Sequence, residues 1–149
     1  MASIYFDLDG TLASLYSVEG WLPDLMAGKT RPYTEAAPMV DPVKFSNLLD
    51  RLAAKGYKLG VISWSAKGAT NEYSRRIRKA KKEWLKKNAP QLLDNFHVIK
   101  YGTPKHWRRE ENSILVDDEK GNRDRWTKGR TIDATNTARM LEELETLAA

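Results

Sequence analysis

The chain has 149 residues, of which 41% are hydrophobic and 30% are charged, a composition that predicts one globular domain over residues 1–149. It contains no cysteine, which excludes a disulfide framework, a thiol nucleophile and a thiolate metal site. The net charge of +5 favours an anionic ligand, such as a nucleotide, a nucleic acid or a phosphoprotein, without choosing among them.

The first predicted element is a buried strand that ends in two carboxylates. An apolar, β-prone run over residues 4–6 leads to Asp7 and Asp9, and Gly10 then allows a sharp turn or a close approach to a ligand. Alternate residues of a strand point the same way, so Asp7 and Asp9 can face one site. Open α/β sheets bind ligands at this end of their strands, although paired acids also occur at ordinary strand-to-turn exits.

The N-terminus leads straight into this strand, without a charged leader followed by an apolar segment. No apolar run of the sequence approaches the length that is needed to cross a membrane. We therefore expect a cytoplasmic protein that has no membrane partner.

Glycines and prolines interrupt the apolar residues of segment 13–40. This composition predicts loops with short helical turns around residues 21–26. We expect the segment to form a small lid over the mouth of the site, with Tyr16 and Trp21 on it. A connector that packs on the core is the alternative. No internal repeat or linker indicates a second domain.

Helical and strand patterns alternate along the rest of the chain. Asp41 followed by Pro42 is a strong helix start, and Gly56 is a typical residue just past a helix end. Further helices are predicted over residues 71–88 and 135–147. The remaining strands are short apolar runs over residues 57–63, 96–99, 113–116 and 131–132. This order predicts an α/β fold with a parallel sheet of about five strands and helices on both faces.

Three of the predicted strands end in polar side chains, and in a parallel sheet these ends meet at one edge. The side chains are those of Asp7 and Asp9, of Ser63, and of Asp117 and Asp118. Four neighbouring carboxylates repel one another unless a cation neutralises them, and oxygen ligands suit Mg²⁺, which leaves positions for phosphate and water. Ser63 and Lys105 could hold phosphoryl oxygens, and the natural nucleophile is a carboxylate.

These residues resemble, in their order along the chain, the motifs of the haloacid dehalogenase (HAD) superfamily. Residues 7–11, Asp-Leu-Asp-Gly-Thr, match its first motif. Ser63, Lys105 and the pair Asp117-Asp118 look like its second, third and fourth motifs. The resemblance implies a three-layer, Rossmann-like core with a minimal lid and a Mg²⁺-dependent phosphatase. The compact layout is similar to that of deoxyribonucleotidase-like members from bacteria and phages.

The resemblance also implies a role for each acidic residue. Asp7 would form an aspartyl-phosphate, and Asp9 would protonate the leaving group and then activate water. Asp7, the backbone carbonyl of Asp9 and Asp117 would bind Mg²⁺. Asp118 would support the metal or its waters, unless it is a turn or helix-start residue. Lys105 would neutralise the charge of Asp7 and of the phosphoryl group.

Further residues are expected around the phosphate. The resemblance implies that Gly10, Thr11 and Ser63 surround the phosphate oxygens. Trp64 directly follows Ser63, so it could stack on a base or sugar, or else pack under its loop. Lys100 is the alternative to Lys105 as the motif lysine.

We expect the substrate to be a small, nucleotide-like phosphomonoester. The alternatives are a phosphatase of nucleic acid 3′ or 5′ ends and a non-catalytic protein that binds a nucleotide or a partner. The basic helix over 75–87 could contact nucleic acid, or it could be a solvated face. Its cations, which we place away from the apolar stripe, are Arg75, Arg76, Arg78, Lys79, Lys81, Lys82, Lys86 and Lys87. A dimer that completes an open site is possible.

Overall fold

A computed structural model, which describes residues 2–108, 111–127 and 129–149, contains a five-stranded sheet in which all neighbouring strands are parallel. The strands are β1 (Ser3–Phe6), β2 (Lys58–Trp64), β3 (Phe96–Ile99), β4 (Ile114–Asp117) and β5 (Arg130–Asp133). Their order across the sheet is β3-β2-β1-β4-β5, which makes β1 the central strand. The five predicted strands are confirmed, each within one residue at either end.

The described residues form six α-helices and three short 3₁₀ segments. The α-helices are α1 (Trp21–Met26), α2 (Arg31–Glu35), α3 (Pro42–Ala54), α4 (Asn71–Asn88), α5 (Lys120–Arg125) and α6 (Thr137–Ala148). The 3₁₀ segments are Leu15–Ser17, Pro90–Asn95 and Lys105–Arg108. No helix of these described ranges has both the length and the apolar character that crossing a membrane requires.

The longer helices begin and end where their sequence signals predict. The Asp41 carboxylate accepts hydrogen bonds from the backbone N–H groups of Val43 and Lys44 at the start of α3. Gly56 follows the end of α3 with a φ of +100°, a conformation that glycine adopts without steric strain. Helix α4 has the predicted bounds, and the Thr70 hydroxyl caps its first turn.

Three helical details differ from the sequence-based expectation. Helix α2 was not predicted, because short helical turns were expected only around residues 21–26 of its segment. Helix α5 was not predicted, because residues 120–125 contain no apolar residue and therefore show no helical periodicity. Helix α6 starts at Thr137 rather than at residue 135, because the Asn136 side chain caps it by accepting a hydrogen bond from the Arg139 N–H group.

The sheet lies between two apolar layers. Ile4 and Phe6 point to one face, where the core includes residues of α3, α6 and the second half of α4. Tyr5 and Leu115 point to the opposite face and pack against Trp126, which directly follows α5. The predicted α/β fold is confirmed as a three-layer, Rossmann-like arrangement in which the longer helices cover the first face.

Segment 13–40 folds against α4. Leu15 and Tyr33 form a separate apolar cluster with Tyr73 and Ile77 of that helix. Three α4 side chains also donate hydrogen bonds to main-chain carbonyl groups of the segment. The pairs are Tyr73 Oη to Lys29 O (2.6 Å), Arg76 Nη1 to Gly28 O (2.8 Å) and Trp84 Nε1 to Ala36 O (2.7 Å). The segment is therefore attached to the helix by its backbone as well as by apolar contacts.

Candidate active site

The ends of β1 and β4 bring three carboxylates together. The two strands are neighbours, and the Asp7 N–H group continues their pairing by donating to the Val116 carbonyl group at 2.8 Å. Asp117 is the last residue of β4 and Asp118 follows it. Asp7, Asp117 and Asp118 each offer one oxygen, and these three oxygens lie within 4.8 Å of one another.

Lys105 lies between two of these carboxylates. Its ammonium donates to Asp7 Oδ1 and to Asp117 Oδ2, both at 2.8 Å, and its side chain is buried. Burial alone would lower the pKa of Lys105, but Asp7 and Asp117 together raise it, so the ammonium stays charged. Lys100, the other candidate, is exposed. The structure therefore places Lys105 among the carboxylates.

Thr11 and Gly10 lie next to the carboxylates of the cluster. The buried Thr11 hydroxyl is 3.0 Å from Asp7 Oδ2 and 3.2 Å from Asp118 Oδ1, and it accepts a hydrogen bond from the Asp118 N–H group. Gly10 has a φ of +82°, and a Cβ atom on it would lie 2.6 Å from Asp118 Oδ2. In the structure, Thr11 thus bonds Asp7 and Asp118, Gly10 leaves room for the Asp118 carboxylate, and neither Thr11 nor Gly10 lines the adjacent cavity.

Asp9 has a different partner, Lys81 of α4. The Lys81 ammonium donates to Asp9 Oδ2 at 2.9 Å, to Ser63 Oγ at 2.6 Å and to the Trp64 carbonyl oxygen at 2.7 Å. Ser63 is therefore buried behind the carboxylates, where its oxygen accepts from Lys81, and it does not line the cavity.

The sequence-based prediction that Lys81 lies on an exposed face of α4 is wrong. Its side chain is only 1% exposed in the structure. Sequence reasoning missed this residue as part of the site. Its position follows Ile77 by four residues and precedes Trp84 by three, so it falls on the apolar stripe of the helix. A lysine on that stripe was the signal that could have identified it.

Burial and the proximity of other carboxylates both raise the pKa values of Asp9, Asp117 and Asp118. Burial, followed by the proximity of Asp7, raises the pKa of Asp118 to about 8. Burial, and then the nearby charge of Asp7, also raise the pKa of Asp117. Burial also raises the pKa of Asp9, against the opposing effect of Lys81.

The charges and donor atoms of the cluster suit a doubly charged, hard cation. When all four carboxylates are ionised, they face only two ammonium groups, so two negative charges have no cationic partner within this set of described side chains. Asp7, Asp117 and Asp118 supply three closely spaced oxygen ligands, as Mg²⁺ and similar ions require. Asp9 is not among the three acids whose oxygens lie this close together, and its Oδ2 atom accepts a hydrogen bond from Lys81.

A cavity of about 830 Å³ opens above the carboxylates. Its lining is polar in part and apolar or aromatic in part, and the polar residues are Asp7, Asp9, Ser65, Lys67, Lys105, Asp117, Asp118, Glu119, Lys120 and Asn122. Segment 13–40 contributes Tyr16 and Trp21, whose rings are 5.0 Å apart in an edge-to-face arrangement. This segment also contributes Leu15, Leu22, Leu25, Met26 and Tyr33.

A second aromatic pair, Trp64 and Tyr101, also lines the cavity. The Trp64 ring lies 5.0 Å from the Tyr101 ring, and its Nε1–H donates to the Thr103 carbonyl oxygen at 2.8 Å. The Lys105 ammonium lies 5.6 Å from the centroid of the Trp64 ring. Trp64 thus lies close to both Lys105 and Tyr101.

No protein-family model matches the sequence, and no curated protein matches it significantly.

Proposed function

We propose that the chain is a Mg²⁺-dependent phosphomonoesterase that works through an aspartyl-phosphate on Asp7. The observation that carries this proposal is that Asp7 lines the cavity and that hydrogen bonds hold both of its carboxylate oxygens. One of its oxygens is held by Lys105 and the other by Thr11, beside two further carboxylates that could share a cation. The strand order and the order of the motif-like residues also support membership of the HAD superfamily, which remains part of the proposal.

In the proposed reaction, a carboxylate oxygen of Asp7 attacks phosphorus and the bond from phosphorus to the leaving oxygen breaks. Asp9 gives its proton to that leaving oxygen and later takes a proton from water, which hydrolyses the intermediate to inorganic phosphate and free Asp7. Lys105 offsets the negative charge that gathers around Asp7. A divalent cation held by Asp7, Asp117 and Asp118 would neutralise charge on the phosphoryl group.

The shape and lining of the cavity support a small substrate with a flat leaving group, such as a nucleoside. Its two aromatic pairs offer faces and edges against which a base can stack. None of the exposed cations of α4 lines this cavity within the described part of the chain. The cytoplasmic location, the contact with nucleic acid and the dimer stay predictions from the sequence.

The experiment compares wild type with Asp7→Asn on a panel of phosphomonoesters, with Mg²⁺ and with a chelator. The panel holds ribonucleotides, deoxyribonucleotides, sugar phosphates and oligonucleotides with a terminal phosphate. Asp94→Asn is the matched control, because Asp94 is exposed and lies outside the site. We expect Mg²⁺-dependent phosphate release that Asp7→Asn lowers by about 1,000-fold or more and that the control leaves unchanged.

Two results would contradict the proposal. Asp7→Asn with near wild-type activity would exclude Asp7 as the nucleophile. A folded wild-type protein that binds a nucleotide and Mg²⁺ but releases no phosphate from any ester would favour the non-catalytic alternative.

A further inference from the structure

Lys81 is a buried cation to which the proposed reaction gives no role. Its side chain is 1% exposed and does not line the cavity. A lysine ammonium has three N–H donors, and here they face three acceptors, Asp9 Oδ2, Ser63 Oγ and the Trp64 carbonyl oxygen. The ammonium therefore has no donor left for a substrate. Any effect of Lys81 on the reaction has to pass through the groups that it contacts.

Two of these acceptors belong to a rigid part of the sheet. Ser63 and Trp64 end β2, where they pair with residues of β3. The third acceptor is the side chain of Asp9, which follows β1 and could otherwise rotate. The Tyr33 ring lies 5.0 Å from the ammonium on the side of segment 13–40. Lys81 thus ties a movable carboxylate to fixed atoms of a strand.

The Asp9 side chain is 15% exposed, and only one of its two oxygens is bonded to Lys81. The residue lines the cavity, and its Oδ1 atom has no hydrogen-bond partner in the part of the chain that the structure describes. A general acid–base must lie within hydrogen-bond reach of the proton that it transfers. A cavity-lining carboxyl group with one oxygen anchored and the other free of hydrogen bonds to the described residues is suited to this requirement.

We propose that Lys81 is a positioning residue, which holds the Asp9 carboxyl group where it exchanges a proton with the leaving oxygen and then with water. The inference rests on the proposed function. It predicts that losing Lys81 slows only those esters whose leaving group needs a proton from Asp9.

The test uses two esters and the variant Lys81→Met, which keeps most of the side-chain volume and removes the three donors. A nucleoside 5′-monophosphate has an alkoxide leaving group that needs a proton, whereas the phenolate of p-nitrophenyl phosphate leaves without one. The measured quantity is kcat/KM, because it reports the steps up to cleavage of the ester and excludes hydrolysis of the intermediate. Lys82→Met is the matched control, since Lys82 is exposed on the same helix.

We expect Lys81→Met to lower kcat/KM for the nucleotide by about 10- to 100-fold and for the aryl ester by less than about 3-fold. Lys82→Met should change neither value. Equal losses on the two esters, or undiminished hydrolysis of the nucleotide, would overturn the positioning role. A wild-type protein that hydrolyses neither ester would overturn the proposed function and this inference with it, so the two failures are distinguishable.

A second variant covers the case in which Lys81→Met does not fold. That substitution leaves the Asp9 carboxylate without its ammonium, whereas Asp9→Asn/Lys81→Met removes both charges. The double variant should therefore melt at a higher temperature than Lys81→Met. If Lys81 acts through Asp9, the double variant and Asp9→Asn alone should have the same kcat/KM for the nucleotide. A further loss of about ten-fold in the double variant would show that Lys81 acts through another group.

Discussion

Replacing Trp21 by alanine tests whether the aromatic wall of the cavity binds the leaving group. Trp21 begins α1, is half-buried and meets Tyr16 edge to face at the cavity wall. It makes no contact with the carboxylate cluster among the interactions of the described residues. The substitution therefore removes an aromatic surface and leaves the reacting groups in place.

The size of the effect follows from the loss of one stacking contact. Stacking of an aromatic side chain on a base contributes about 1–3 kcal/mol. Since about 1.4 kcal/mol corresponds to a factor of ten, Trp21→Ala should lower kcat/KM for a nucleoside monophosphate by about 5- to 150-fold. Glycerol phosphate has no ring to stack, so its kcat/KM should stay within about 2-fold of wild type.

Steady-state kinetics on these two esters measure the difference directly. Val43→Ala is the control, because Val43 is an exposed apolar residue of α3 that lies outside the cavity. The reasoning would be refuted if Trp21→Ala slowed both esters equally, since the ring would then support the site as a whole. An unchanged nucleotide value would also refute it, because the base would then bind elsewhere.

Two other predictions concern the carboxylate cluster. Lys105→Met should lower kcat on every ester by about 100-fold or more in steady-state assays, because it removes the cation between Asp7 and Asp117. The control variant Lys100→Met should leave kcat unchanged. A wild-type kcat for Lys105→Met would show that Lys105 takes no part in the reaction. Burial and the neighbouring Asp7 raise the pKa of Asp118 to about 8 from its ordinary 3.8, so the folded chain retains a proton there that the unfolded chain loses across this window. The free energy of unfolding of chelator-treated protein, measured by urea titration, should therefore fall as the pH rises from about 4 to 8. Asp118→Asn should reduce that fall. If the free energy of unfolding of the variant fell equally with pH, another group would cause the pH dependence.

The sequence allowed the sheet and the longer helices to be predicted because their signals are local. Short apolar runs marked all five strands, and Asp41 and Gly56 marked the two ends of α3. Helix α5 lacked such a signal, because its six residues, five of them polar and one a glycine, contain no apolar stripe. Its Asn122 side chain donates to Asp117 Oδ2 at 3.1 Å.

The candidate site was only partly predictable. The parallel sheet explains why Asp7 and Asp117 meet, and that much follows from the strand pattern. The choice of Lys105 over Lys100 depends on the turn before β4, which the sequence did not specify. The spacing along α4 could have shown that Lys81 is buried, but its partner Asp9 is 72 residues away, and only the packing of α4 on the sheet brings the two together.

The way in which segment 13–40 is attached bears on how new substrate preferences could arise. The three hydrogen bonds from α4 end on main-chain carbonyl groups, which every amino acid possesses. Exposed positions such as Leu22 and Met26 can therefore be exchanged without giving up those attachments. A library that varies them would alter the cavity lining while keeping the carboxylates intact, so the segment is a natural starting point for redesigning selectivity.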